Sequence, residues 1–220
     1  MDVSRLQRMI GLAQERGLDV VALMPGPNLF YVTGLSFFLS ERPVVGFFPV
    51  DQPPALVLPA LEADKVTDME TFPYTDEDGY ALAFQQACAK LEIAEARVGV
   101  EALRMRLLES RILQRYAAGS ELVPADDRFA DLRICKEERE LAAMRRAISV
   151  AERAFEAWLG QLHVGMTEKE AAARLTAAML TGGADALSFD PIVAGRPHGG
   201  LPTALPGARP VAAGDWVVGD

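Results

Sequence analysis

GDWVVGD, residues 214–220, is a β-branched and aromatic run set between two Gly-Asp pairs. It reads as a strand that delivers a carboxylate to its far end. Asp215 opens the run beside Gly214, which is ordinary turn chemistry. Asp220 is different, because the strand is expected to carry it inward past Trp216, Val217 and Val218. A carboxylate at the buried end of an apolar strand is costly unless a cation or several donors meet it. The competing reading is an exposed strand end with a solvated aspartate, and the local pattern alone favours that one.

Working back along the chain, SFDPIVAG (188–195) reads as a strand that enters a Gly/Pro-rich loop, RPHGGLPTALPGARP (196–210). Before it, Thr167 and Glu170 have the spacing of a capping box, in which each side chain satisfies a backbone N–H at the helix terminus. That helix is predicted to run to Gly182-Gly183, which can adopt the left-handed conformation that ends it. A long helix is predicted from Glu137. Its residues Leu141, Met144, Ile148, Ala151 and Phe155 step three and four at a time and form an expected core-facing seam.

The character changes near Asp126-Asp127-Arg128, and a boundary is expected between residues 125 and 135, giving domains 1–128 and 129–220. In the first, a helix is predicted over Ser4–Arg16, closed by Gly17. DVVALM (19–24) reads as a strand ended by the turn PGPN, and VVGFFPV, PALVLP and ARVGVE read as further strands. Helical patterns cover Phe84–Leu91 and Arg104–Tyr116. This alternation predicts an α/β domain with a mixed or largely parallel sheet.

Composition narrows the class. The 220 residues are 50% hydrophobic and 24% charged, as in a soluble globular protein. A net charge of -9 argues against nucleic acid as the main partner. Cys88 and Cys135 match no metal-ligand spacing and suit a reduced, cytoplasmic chain. No apolar run reaches the roughly 20 residues that span a bilayer, and the charged N-terminus lacks the apolar block of a signal peptide. No membrane partner is expected.

Only two histidines are present. His163 lies between helices, where a solvated or capping role is expected. His198 sits where Pro197, Gly199 and Gly200 allow close backbone approach, and both a binding role and a plain loop position are open to it. No P-loop, dinucleotide fingerprint or GxSxG nucleophile elbow occurs.

Five pieces in order, NLFYVTGL within residues 5–43, LRICKEERELAAMRRAISVAERAF, GMTEKEAAARL, SFDPIVAGRP and GDWVVGD, resemble the prolidase and Xaa-Pro aminopeptidase family of pita-bread metallopeptidases, to which creatinase is related. The resemblance spans essentially the whole chain. It implies a creatinase/prolidase-type N-terminal α/β domain followed by the first part of an α+β pita-bread domain. It implies two divalent metals in the full-length site (manganese, with cobalt or zinc as alternatives), held by two aspartates, one histidine and two glutamates. Those metals activate a water that hydrolyses the bond before proline in a peptide. Carried over by motif, Asp220 matches the first ligand aspartate, and the other four ligands are expected beyond residue 220. Residues 1–220 alone are therefore expected to be inactive and to bind no metal stably. Thr203, after the Leu201-Pro202 pair, stands where the family has a histidine that contacts substrate or intermediate. Gly219, where a bulky β-former is usual, is expected to weaken the last strand. A homodimer is implied, with SFFLSERP (36–43) as the candidate loop toward a neighbouring protomer. A non-catalytic relative acting in dimerisation or partner binding is the alternative.

Overall fold

Strands without polar alternation are expected to be covered on both faces, and a computed structural model of the chain shows how. It describes residues 1–201 and 203–220; Pro202, half of the Leu201-Pro202 pair, lies outside the described residues. The chain divides into two units, Met1–Cys135 and Lys136–Asp220, beside the expected break at 128/129.

The first unit carries helices α1 (Val3–Glu15), α2 (Pro27–Thr33), α3 (Ala81–Lys90), α4 (Leu107–Tyr116) and α5 (Asp126–Ile134). Its strands are β1 (Val20–Leu23), β2 (Val45–Pro49), β3 (Ala55–Pro59), β4 (Glu70–Tyr74), β5 (Arg97–Val100) and β6 (Glu121–Pro124). They form one mixed sheet in the order β4-β3-β2-β1-β5-β6, antiparallel at β1/β2 and β2/β3 and parallel elsewhere. Alternate residues of β1 feed different cores. Val20 and Ala22 join Phe84, Ile112 and Leu113 from α3 and α4, whereas Val21 and Leu23 join Met9, Leu29 and Phe129 from α1, α2 and α5. The sheet is thus sandwiched between two helical layers, and β1 to β3 are buried throughout.

Two helices stand where none was expected. The PGPN segment is a turn only in its first half. Pro27 opens α2, a position where its missing N–H costs nothing, and Gly34 ends the helix at φ 75°. Asp126-Asp127-Arg128 opens α5, whose Phe129 and Leu132 are buried against the sheet. In the loop 36–43, Phe37 packs on the core and Phe38 is 84% exposed.

The ends of β1 and β5 meet at a buried carboxyl. Glu101 accepts hydrogen bonds from the Met24 N–H (3.0 Å) and the Asn28 side-chain amide (2.8 Å). The Asn28 carbonyl oxygen in turn accepts from Arg133 Nε of α5 at 2.8 Å. Burial pushes the Glu101 pKa up, against the downward pull of the two hydrogen bonds.

The second unit holds α6 (Glu138–Leu159), α7 (Glu168–Thr181) and the antiparallel ribbon of β7 (Val193–Ala194) and β8 (Val218–Gly219). The expected Thr167–Glu170 capping box is present, with Thr167 Oγ1 accepting from the Glu170 N–H (3.2 Å) and the carboxylate accepting from the Thr167 N–H (2.8 Å). Gly182 keeps helical dihedrals as the cap, and Gly183 takes the positive φ of 103°. The seam of α6 is a correction. Met144 and Ile148 are 48% and 54% exposed, while the buried residues are Ala154 and Trp158. Only the C-terminal part of the helix meets the small core of Met166, Ala171, Leu175 and Val193. Of the stripe, Ala151 borders a cavity of about 760 Å³ that Val150, Met179, Phe189 and Asp220 also line.

A raised pKa means that the native state holds the Glu101 proton more tightly than the unfolded chain does. Its contribution to stability is largest below the ordinary glutamate value and declines as pH rises from there through the raised folded value. Glu101→Gln should therefore lose more stability relative to the parent at about pH 4 than at about pH 7. Urea midpoints at the two pH values check this; an equal difference at both refutes it.

Candidate functional site

The loop that carries His198 and Thr203 is fixed by the first residue of α7. Glu168 is 1% exposed, and its two carboxylate oxygens accept the N–H of Gly195 and of Gly207, each at 2.9 Å. The same helix start donates N–H groups of Glu168 and Lys169 to the carbonyls of Arg209 and Gly207. One side chain thus pins both ends of the loop. Charge-assisted hydrogen bonds and the positive end of the helix offset the cost of burying the carboxylate. Both glycines are needed for this close approach: a Cβ at Gly207 would lie 3.3 Å from Glu168 Oε2, and one at Gly195 would lie 3.3 Å from Asp215 Oδ2. Asp215 closes its turn by accepting from the Ala212 N–H (3.0 Å) and faces Arg209 Nη2 at 3.4 Å.

The ribbon itself has two unlike faces. Val217 packs on the small core, and a Cβ at Gly219 would stand 2.8 Å from Trp158 and 3.0 Å from Phe155. Trp158 is 1% exposed and donates its indole N–H to the Ala171 carbonyl at 2.7 Å. Gly219 therefore admits the aromatic pair, because the space of its side chain is already filled. The alternating residues Trp216 and Val218 line a separate cleft with Arg196 and Gly199, and Asp220, also exposed, lines the cavity beside α6 and α7.

Asp220 is consequently not carried into a buried place. Strand pairing is short, since the ladder covers Val193↔Gly219 and Ala194↔Val218, followed by reciprocal hydrogen bonds between the Ile192 and Asp220 backbones (2.8 and 2.9 Å). Asp220 is exposed and borders the cavity beside α6 and α7 in residues 1–220, which corrects the expected buried strand end. The solvated-aspartate alternative describes the position of the side chain.

The register also decides which candidates meet. Asp220 lies level with Ile192, whereas the turn His198–Gly200 folds back beside Trp216, with the Gly199 N–H bonded to the Gly195 carbonyl at 2.8 Å. Four residue steps along the ribbon separate the two ends by about 13 Å. His198 and Asp220 are not brought together. His198 and Thr203 are both exposed. Among the described residues no three His, Cys, Asp or Glu side chains converge as a metal site. Sequence reading missed Glu168, whose signal was masked because an acidic first-turn residue is ordinarily a solvated partner of the helix dipole.

Residues 5–135 match the Creatinase/Prolidase N-terminal domain, and residues 142–220 match Metallopeptidase family M24. A Xaa-Pro dipeptidase of Pyrococcus horikoshii is 26% identical, with 100% of this chain and 60% of the relative covered. A solved dipeptidase structure from the same organism is 27% identical at a TM-score of 0.86, covering 97% of this chain and 59% of that one. A recombinant prolidase from Thermococcus sibiricus shares the fold at a TM-score of 0.93 with 23% identity, covering 100% of this chain and 61% of that one. The chain spans about 60% of the length of these relatives.

Two substitutions test the construction. Gly219→Val raises strand propensity yet should destabilise the chain by about 1–3 kcal/mol through overpacking against Trp158; a gain in thermal midpoint would refute the packing argument. Glu168→Gln retains one acceptor and turns an amide donor toward the other N–H, so a loss of about 1–3 kcal/mol is expected. Hydrogen exchange should accelerate at the Gly195 and Gly207 amides before it does at the α7 interior.

Proposed function

The chain belongs to the prolidase and Xaa-Pro aminopeptidase family, with a creatinase/prolidase N-terminal domain leading into a metallopeptidase M24 domain, and from that premise we propose that it forms the front part of a metallopeptidase hydrolysing the bond before proline. The observation that carries this reading is the placement of Asp220. It ends a ribbon whose reverse side packs on Trp158 and whose partner strand leads into a loop held in shape by Glu168. In this reading Asp220 gives one hard oxygen ligand to a divalent metal, for which manganese, cobalt and zinc all suit carboxylate oxygen. The metal, when bound, would supply an activated water. The remaining ligands would come from outside residues 1–220. The substrate would be a peptide with proline in second position, and the protein would work as a cytoplasmic homodimer through its N-terminal unit, where Phe38 offers exposed apolar surface. No helix among the described residues is long and apolar enough to cross a membrane.

A second reading has one specific observation behind it. Thr203, at the position of a family histidine, is exposed and carries no group that gains charge near neutral pH. A relative that has given up catalysis for partner binding would tolerate that residue.

Hydrolysis of a Xaa-Pro dipeptide, assayed with excess manganese, cobalt or zinc, separates these. Residues 1–220 alone should show no turnover, and the product of the complete reading frame should show metal-dependent turnover that falls by about a hundredfold or more on Asp220→Ala. Absence of turnover in the complete product favours the second reading; turnover by residues 1–220 that depends on Asp220 overturns the incomplete-site argument.

A further inference from the structure

Inside the first unit, a buried carboxyl is wired to the last turn of α5 through a single side-chain amide. Glu101 follows β5 and is 1% exposed. Each of its oxygens accepts one hydrogen bond, Oε2 from the Met24 N–H at the end of β1 and Oε1 from Asn28 Nδ2. Asn28 is itself buried, and its Oδ1 accepts from Arg133 Nε. The amide thus has one allowed direction: it takes from Arg133 and gives to Glu101. The first turn of α5 is tied separately. The Asp126 carboxylate accepts the N–H groups of Ala102 and Leu103, at 2.8 and 3.1 Å. Beyond α5 the first unit ends, at Cys135. Burial is the main force on the Glu101 proton and pushes the pKa up. The bonds from Met24 and Asn28 and the charge of Arg104, ahead of α4, pull it down, and Asp126 of α5 pushes it up. The end of β1 and α2 present neutral groups, the Met24 amide and the Asn28 side chain.

We propose that Glu101, Asn28 and Arg133 form a proton-operated latch on the last turn of α5. While Glu101 is ionised, both oxygens act as acceptors, as the Met24 N–H and the Asn28 amide require. A proton taken from solvent turns one oxygen into a donor. On Oε2 it would meet a backbone N–H that cannot turn. On Oε1 it meets the Asn28 NH2, which can. A half-turn of that amide brings Asn28 Oδ1 to the new donor and satisfies it. The same half-turn sets the NH2 against Arg133 Nε–H, a group that only donates. The Arg133 bond is lost, and the last turn of α5 is released. Asp126 still holds the first turn, and Phe129 and Leu132 stay buried on the sheet. An unpaired donor in a low-dielectric interior is costly, so a change at one end of such a network is passed to the other. Because the Glu101 pKa is raised, release begins above the ordinary glutamate range as pH falls, and a rise in pH closes the latch again.

The unsubstituted chain supplies the first test. Carbon-13 shifts of the Glu101 carboxyl follow its titration as the pH is lowered from about 8 to about 4, and nitrogen-15 signals report Arg133 Nε–H and the Asn28 amide. Protection of Arg133 Nε–H from solvent exchange, taken relative to free arginine at the same pH, should fall by about tenfold or more with the Glu101 midpoint. The Asn28 amide signals should shift at that midpoint, while protection of the Ala102 and Leu103 amides stays constant. Glu101→Gln carries an acceptor and a donor at every pH. Its oxygen is expected to face the fixed Met24 N–H and its NH2 to face Asn28, so Arg133 should be released already at neutral pH and show no titration. The proposal is overturned if Arg133 keeps its protection through the Glu101 titration, or loses it only together with Ala102 and Leu103. It is equally overturned if Glu101 takes up no proton before the chain unfolds, or if Glu101→Gln retains the parent's protection at neutral pH. No metal, peptide or turnover enters the measurement, so its outcome is independent of the hydrolytic reading.

Discussion

A buried carboxylate at a helix start organises the second unit. Glu168 could not be ionised and 1% exposed without donors, and the donors it finds are two backbone amides from opposite ends of one loop. Each such bond to a charged group is worth about 1.5–3 kcal/mol, comparable with the backbone entropy of ordering one or two residues. A Gly/Pro-rich segment from residue 196 to 210 would otherwise have little apolar burial to hold it, since Ala204 is its one buried residue among those described. Shape in this loop comes from polar satisfaction, not from a hydrophobic core.

The ribbon depends on a second constraint of the opposite kind. Trp158 is the largest fully buried side chain of the small core, and its ring occupies the volume that a residue at position 219 would need. The glycine fixes the packed face, and period-two alternation then assigns the other face to Trp216 and Val218. The location of the carboxylate thus follows from an aromatic contact on the reverse side of the strand. The two constraints meet because Trp158 also donates its indole N–H to Ala171, one turn along the helix that Glu168 begins.

How much of this was legible depended on whether the signal was local. The strands over residues 20–23, 45–49, 55–59 and 97–100 announce themselves as apolar runs, and the helix from Thr167 is fixed by its capping box. What was not legible required knowledge of a distant neighbour. The α6 stripe has flawless helical spacing, yet periodicity says which residues share a face and not whether another element covers it; Met144 and Ile148 remain open. PGPN carries turn residues that serve equally to start a helix, and the partners that commit Asn28 to α2, Glu101 and Arg133, lie 73 and 105 residues away. Gly219 looked like a weak strand residue because Trp158 stands 61 positions earlier in the sequence.

Asp220 shows the same limit from the chemical side. The resemblance, not burial, assigned a metal to this carboxylate, since the local pattern alone favoured a solvated aspartate, and Asp220 is exposed in residues 1–220. What the structure adds is positional: the carboxylate follows directly on a residue, Gly219, that is locked against Trp158. A ligand held this way has its direction set by packing before any metal arrives, so binding costs little reorganisation.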